Sequence, residues 1–309
     1  MSVAPLIAGV ELGGTKVFVL RARGREIVER VMIATGAPGE TLAQAVALLR
    51  RWQAEEPFAA LGIASFGPLR VERAAGDFGR MLPTPKPGWT GADIYGVLAG
   101  ALSCPAAIDT DVNGAALAEA RWGAGLESEA RGDGLCYLTI GTGLGGGFIL
   151  NGRPLHGAMH PELGHILTRR APGDDFAGAC PFHGDCIEGL ICGPALAQRF
   201  GAAGDAIPAD DPRWHHVAHD IAQLVGTILL TTAARQVLIG GGVSMGRPGL
   251  IDRVREKVLA QLNFYLPFVT ADSIASIVRL PALGDMAGPL GAVALALDAL
   301  GERAEIGRV

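Results

Sequence analysis

The sequence predicts an α/β protein made of two related halves. Strand-like and helix-like apolar runs alternate along the chain. Two distant stretches, residues 6–22 and 135–151, repeat one arrangement of strand, glycine turn and strand. The length of 309 residues, at about 150 per domain, suggests two domains with a sizeable core.

In chain order, residues 6–12 (LIAGVEL) and 17–22 (VFVLRA) read as strands around the turn Gly13-Gly14. Residues 41–55 have helical apolar spacing, with an N-cap expected at Glu40-Thr41. Residues 60–66 (ALGIASF) read as a buried strand ended by Gly67-Pro68. A short strand at 106–109 leads into a helix over 113–122. Residues 135–141 and 147–151 form the second strand, glycine loop, strand unit. A long buried helix is expected at 216–235, then a strand at 236–239 running into Gly240-Gly241-Gly242. Helices at 249–263 and 288–300 complete the pattern.

Composition narrows the function. Hydrophobic residues make up 49% and charged residues only 18%, which argues against disorder. Glycine, at 45 residues, is roughly twice its usual share of about 7% and has no three-residue period, so collagen is excluded. Those glycines either pad the chain or gather where backbone must approach a ligand. The net charge is −5, the only lysines are Lys16, Lys86 and Lys257, and there is no basic cluster, so no nucleic-acid partner is expected. Apolar runs such as 225–230 fall far short of the roughly 18 residues of a membrane span, and the first ten residues lack a basic n-region. A cytoplasmic protein without a membrane partner is expected. The odd count of five cysteines argues against a disulfide framework, and Cys104, Cys136 and Cys192 read as buried thiols.

Four segments carry chemistry. GVELGGTK (9–16) offers a two-glycine turn whose N–H groups can face an anion, a hydroxyl at Thr15, and a carboxylate at Glu11 able to hold hydrated Mg²⁺. GTGLGGG (141–147) contains G-x-G-x-x-G. It runs into strand-like Phe148-Ile149-Leu150 rather than a helix, so a second phosphate hairpin explains it better than a dinucleotide fold. In DTDVN (109–113), at a strand end, a carboxylate can take a proton from a bound hydroxyl or cap a helix. Asp109 and Asp111 cannot both cap one helix, so one of them has another role. Finally, His165, Cys180, His183 and Cys186 have the spacing H-x14-C-x2-H-x2-C, which fits a closed tetrahedral zinc site of structural type. His156 and His160 read as loop or surface residues.

On these segments, with HPELGH (160–165), CPFHGDCIEG (180–189), LIGGGV (238–243) and LGDMAGPLGA (283–292), the chain resembles the ROK family of sugar kinases. The resemblance runs from Gly9 to about Leu297. It implies a two-lobed actin-like ATPase (ribonuclease H-like) fold, each lobe a mixed sheet flanked by helices. The expected lobes are residues 1–112 with 288–309, carrying the first phosphate hairpin, and residues 113–287, carrying the second hairpin, the zinc loop and the adenosine segment. CPFHGDC, TPKPGW (84–89) and ASFGPL (64–69) look most like the fructokinase branch.

Carried position by position, the resemblance implies Asp111 as the base acting on the sugar's primary hydroxyl. Thr110, Glu162, His165 and Glu188 are implied as further sugar contacts, with His165 also a zinc ligand. Gly13, Gly14, Thr15, Lys16, Gly141, Thr142 and Gly143 are implied at the ATP phosphates, and Gly241 and Gly242 at adenosine. Glu11 stands where most members have aspartate, and Thr110 where many have asparagine. The expected activity is Mg²⁺- and ATP-dependent phosphorylation of a hexose, fructose first, by a homodimer holding one structural Zn²⁺. Glucokinase, mannokinase and N-acetylhexosamine kinase are the alternatives within the family. A sugar-sensing regulator without catalysis is the alternative outside the enzyme class. The presence of Asp111 counts against it, as does a first phosphate strand at residue 6, where the family's repressors carry a winged helix-turn-helix.

Overall fold

The computed structural model describes residues 4–127, 132–202 and 204–306; residues 1–3 and 307–309 of the expected first lobe lie outside them. The chain divides into two compact units. The first comprises residues 1–119, 154–161 and 285–309, the second residues 120–153 and 162–284.

The first unit contains β1 (Leu6–Leu12), β2 (Lys16–Arg23), β3 (Glu26–Ala34), α1 (Pro38–Glu55), β4 (Leu61–Ser65), α2 (Ile94–Ala99), β5 (Ala106–Thr110), most of α3 (Asp111–Trp122), and the chain's last helix, α10 (Ala287–Ile306). Its sheet runs β3-β2-β1-β4-β5. The β1–β2 and β2–β3 pairs are antiparallel, and β1–β4 and β4–β5 are parallel. The two faces of this sheet are packed differently. Val10, Leu12, Leu61 and Ile63 meet Leu42, Leu49 and Trp52 of α1 in one apolar cluster. The alternate positions, Gly9 and Gly62, lie against Ala292 of α10. Successive strand residues point to opposite faces, so bulky residues serve the α1 side and small ones let α10 approach the backbone.

The second unit contains β6 (Leu135–Ile140), β7 (Leu144–Leu150), β8 (Arg153–Pro154, whose proline clusters with the first unit), α4 (Ile187–Ile191), α5 (Gly193–Phe200), α6 (Trp214–Thr232), β9 (Gln236–Gly240), α7 (Gly242–Met245), α8 (Leu250–Leu262), α9 (Ile274–Ile277) and β10 (Val278–Arg279). Its sheet reads β8-β7-β6-β9-β10. Again an antiparallel hairpin, β6–β7, stands beside parallel β9 and β10. The strand order matches that of the first sheet position for position, so the repeat seen in the sequence extends to the sheet topology. Among the described residues no helix is long and apolar enough to cross a membrane.

Local differences from the sequence reading have physical causes. β3 was not anticipated, because Val28 and Met32 on its exposed face break the apolar–polar alternation. Helix α1 begins at Pro38 rather than residue 41, as a proline with its fixed φ suits the first turn. Thr41 is buried within that turn, its Oγ1 accepting from Gly36 N at 3.0 Å. Helix α6 ends at Thr232 because Ala233 turns left-handed (φ 49°).

The fit of α10 on the sheet predicts the effect of Gly62→Ala. A Cβ there would lie 1.9 Å from Ala292 O and 2.4 Å from Ala296 N. These are backbone atoms that cannot rotate away, so the loss of stability should reach or exceed the ~1–3 kcal/mol of ordinary overpacking. Gly39→Ala, with open space around it, should leave the melting temperature nearly unchanged. Similar melting temperatures for the two variants would contradict this packing.

Candidate functional site

In the first unit the turn after β1 uses up its carbonyls. Gly13 N donates to Lys16 O (3.0 Å) and Thr35 N to Thr15 O (3.0 Å). Thr35 Oγ1 donates to Gly13 O (2.7 Å) and Lys86 Nζ to Gly14 O (2.6 Å). The amides of Gly14 and Thr15 have no partner among the described residues. Thr15 and Lys16 are exposed. Two adjacent outward N–H groups form a concavity suited to an anion.

Behind this turn stand two carboxylates. Asp111 opens α3, and its Oδ1 accepts from Val112 N (2.8 Å). Burial pushes its carboxyl up to about 6. Glu11 is pushed up to about 7, first by burial and then by repulsion from Asp111, with Lys16 and Arg30 pulling the other way. Glu11 Oε2 is buried without a hydrogen-bond partner. An orphaned carboxylate oxygen beside a second acid is the oxygen-donor environment that a hydrated Mg²⁺ takes.

Asp109 and Asp111 turn out to have different jobs. Asp109 is buried, and its Oδ1 accepts from Thr110 N (2.7 Å) and Asn113 Nδ2 (2.7 Å). Its Oδ2 faces His156 Nε2 at 3.0 Å. The cap of α3 is Thr110, whose Oγ1 accepts from Asn113 N (3.2 Å). Asp109 is thus consumed in holding the strand end, while Asp111 keeps an oxygen available. The hydrogen bond to Asp109 raises the His156 pKa. His160 is 5% exposed, and its Nε2 accepts from Leu69 N (3.0 Å). His156 is an exposed loop residue, as the sequence reading expects, although it pairs with Asp109; His160 lies in the same loop but is buried rather than at the surface. No spacing rule could have found partners 47 and 91 positions away.

In the second unit the β6–β7 turn repeats the first. Gly141 N donates to Gly143 O (2.9 Å), and Gly193 N donates to Gly141 O (2.7 Å). Thr142 is exposed, and the amides of Thr142 and Gly143 have no partner among the described residues. Glu188, in the first turn of α4, accepts from Leu144 N through Oε2 (2.9 Å). Glu162 precedes the single 3-10 turn Leu163–His165. Gly164 in that turn sits so close to β7 that a Cβ would lie 2.2 Å from Leu144 O, which is why the E-x-G-H pattern needs its glycine. At the end of β9, Gly241 has φ 86°, and a Cβ on it would strike Ile140 O at 2.4 Å. Gly242 opens α7 with free space around it.

His165, Cys180, His183 and Cys186 converge in the same unit, their donor atoms all within 4.8 Å of one another. His165 Nδ1 lies 3.5 Å from Cys186 Sγ and 3.8 Å from Cys180 Sγ, and His183 Nδ1 lies 3.8 Å from Cys180 Sγ. Tetrahedral zinc bonds of about 2.0–2.3 Å place ligand atoms roughly 3.3–3.8 Å apart. The cysteines are free rather than bridged, so the donor set fits one tetrahedral ion. The loop is tight. Cys180 and Gly184 exchange backbone bonds, and a Cβ at Gly189 would meet Gly184 O at 2.1 Å.

A model of the ROK family matches residues 7–299. A fructokinase from Zymomonas mobilis subsp. mobilis is 40% identical over 296 residues, spanning 94% of this chain and 96% of its own. A fructokinase from Lactococcus lactis subsp. cremoris is 37% identical over 275 residues, spanning 88% and 90% respectively. The crystal structure of a ROK hexokinase from Thermus thermophilus matches with a TM-score of 0.74 at 27% identity, covering 96% of this chain and 99% of that one.

The strained acid at Glu11 predicts a pH-dependent stability difference. In the folded state its carboxyl is raised to about 7, above the ordinary value of 4.5. The folded state therefore favours the protonated form, and the stability this contributes is lost as pH rises from 4.5 through about 7. Without added divalent cation, Glu11→Gln should melt higher than the parent protein at pH 8, and the gap should close by pH 4.5. An equal gap at both pH values would show that Glu11 is not strained.

Proposed function

The chain belongs to the ROK family, and from that premise we propose that it is an ATP-dependent hexose kinase acting on D-fructose at its 6-hydroxyl. The observation that carries fructose is the 40% identity to a fructokinase over nearly the full length of both chains. Fructokinase-like TPKPGW and CPFHGDC support it.

In this reading Asp111 takes the proton from the attacking hydroxyl. Its carboxyl, at about 6, is ionised at neutral pH yet basic enough to accept a proton. Thr110 stands beside it as a further sugar contact. Glu162, His165 and Glu188 of the second unit are assigned to sugar hydroxyls, with Glu188 using the oxygen that does not accept from Leu144. The turn amides at Gly14 and Thr15, and those at Thr142 and Gly143, are assigned to ATP phosphates. Gly13, Lys16 and Gly141 complete the two turns, and Gly241 and Gly242 present bare backbone to adenosine. Phosphoryl transfer asks mainly for positioning and charge stabilisation, which fixed amides supply without reorganising. Glu11 would hold Mg²⁺, which would supply positive charge to the transferring phosphoryl group. Zn²⁺ on His165, Cys180, His183 and Cys186 supplies rigidity to the segment that carries Glu162 and Glu188.

A coupled assay over fructose, glucose, mannose and N-acetylglucosamine tests the substrate, with kcat/KM highest for fructose expected. A higher value for another hexose would reassign it, and no ADP release with any of them would sink the kinase reading. Asp111→Ala should lower kcat by about 10²–10⁴-fold with metal content intact; residual activity above about 1% would count against Asp111 as the base. Metal analysis of protein prepared without chelator should find about one zinc per chain, lost together with hexose affinity in Cys186→Ser. Hexose affinity retained after zinc loss would separate the metal from the sugar segment.

A further inference from the structure

The TPKPGW segment has no role in the reading above, yet it reaches the first phosphate turn. Lys86 Nζ donates to Gly14 O at 2.6 Å. Lys86 makes no ion pair among the described residues, although it is half-buried. Holding a carbonyl does not itself require a charge. The neighbouring Gly13 carbonyl is held by the neutral hydroxyl of Thr35. A partly buried cation without a counter-charge, one bond away from two open amides, points to an anionic ligand at that turn.

Lys86 is also held firmly. Its own N–H donates to Thr84 Oγ1 (3.4 Å), and its carbonyl accepts from Trp89 N (3.3 Å). Trp89 is fully buried, packs edge-on against Phe66 with ring centroids 5.0 Å apart, and donates from Nε1 to Gly36 O (3.0 Å). Gly36 follows Thr35, the residue that holds Gly13 and Thr15. The phosphate turn and the lysine loop thus hang from the same two residues beyond β3.

We propose that Lys86 is a positioning residue of the first phosphate turn. Its ammonium keeps the Gly14 carbonyl turned away from the ligand, so that the Thr15 amide of the same peptide faces a nucleotide phosphate beside the Gly14 amide set by Thr35, and it adds uncompensated positive charge there. The proposal rests on the kinase reading. Carbonyl and phosphate compete for the same donors, so without Lys86 the turn can flip its Gly14 peptide and present an oxygen to the phosphate.

The test is calorimetric binding of the non-hydrolysable ATP analogue AMPPNP and of adenosine to the full chain, without hexose. Lys86→Met should weaken AMPPNP by about 10- to 100-fold, the span of a lost charged hydrogen bond. Adenosine affinity and melting temperature should stay at parental values. Lys86→Arg should recover most of the loss. AMPPNP binding by Lys86→Met at the parental affinity would overturn the proposal and leave the kinase reading standing. Equal weakening of adenosine would also overturn it, as a general lesion. Failure of the parent protein to bind AMPPNP would remove both readings.

Discussion

In the turn between β1 and β2, every carbonyl from Gly13 to Lys16 accepts a hydrogen bond, and the two amides in the middle donate to no partner among the described residues. Leaving backbone groups unpaired is costly where water is excluded, so the turn has to stay accessible and its orientation has to be imposed from outside. Thr35 and Lys86 impose it in the first unit. In the second, Gly193 N holds Gly141 O, and Glu188 occupies Leu144 N. The two turns solve one problem with different residues, a hydroxyl and an ammonium on one side, a helix-opening amide and a carboxylate on the other. The shared sheet order puts both turns at the end of the central strand of their sheets, so the repeat preserves the position of the donors rather than the means of holding them.

Close backbone approach is the second constraint, and it accounts for glycines that no ligand touches. Gly62 admits α10 onto β4, Gly164 admits the Glu162–His165 segment onto β7, and Gly189 packs against the Cys180–Gly184 loop. The Glu162 segment is fixed by this contact, and His165 brings it to the donor cluster of Cys180, His183 and Cys186. The loop that follows it is fixed by charge: Asp174 is paired to Arg170 and Arg199, and Arg199 to Asp220 of α6 at 2.9 Å. Both Arg199 and Asp220 are almost fully buried, where losing either partner would strand a charge at a cost of about 3–5 kcal/mol. The excess of glycine in the composition is therefore partly a requirement of turns and partly a requirement of packing.

What the sequence made legible was whatever is local. Two-glycine turns, the strand before each, and four histidines and cysteines within 22 residues all have short-range signatures; the strands and turns form as read, and the four side chains converge. The edge strand β3 lacks a distinctive local pattern, whereas the helix start at Pro38 carries one in the proline itself, overlooked in favour of Glu40-Thr41. The long-range polar pairs were illegible for a different reason. Nothing in DTDVN distinguishes Asp109 from Asp111 until His156 is seen 3.0 Å from the first of them. A histidine in HGAMH carries no mark of burial until Leu69 N is found donating to it. Lys86 belongs to the same class, recognisable in a motif but with its function set by a carbonyl 72 positions earlier.

The separation of the two aspartates has a consequence for the charge at Glu11. The oxygens of Asp109 are taken up by His156, Asn113 and a backbone amide. Asp111, which accepts from Val112 N, is pushed upward by burial, and Glu11 by burial first and then by repulsion from Asp111. A fold selected only for stability would replace Glu11 by an amide. Keeping a carboxylate with a buried, unpaired oxygen makes sense if a cation arrives with the substrate. Each carboxyl would then fall back toward its ordinary range when the site is loaded, and Asp111 would be ionised when a hydroxyl is present to be deprotonated. The strain at Glu11 would then be the counterpart of the charge brought by such a cation.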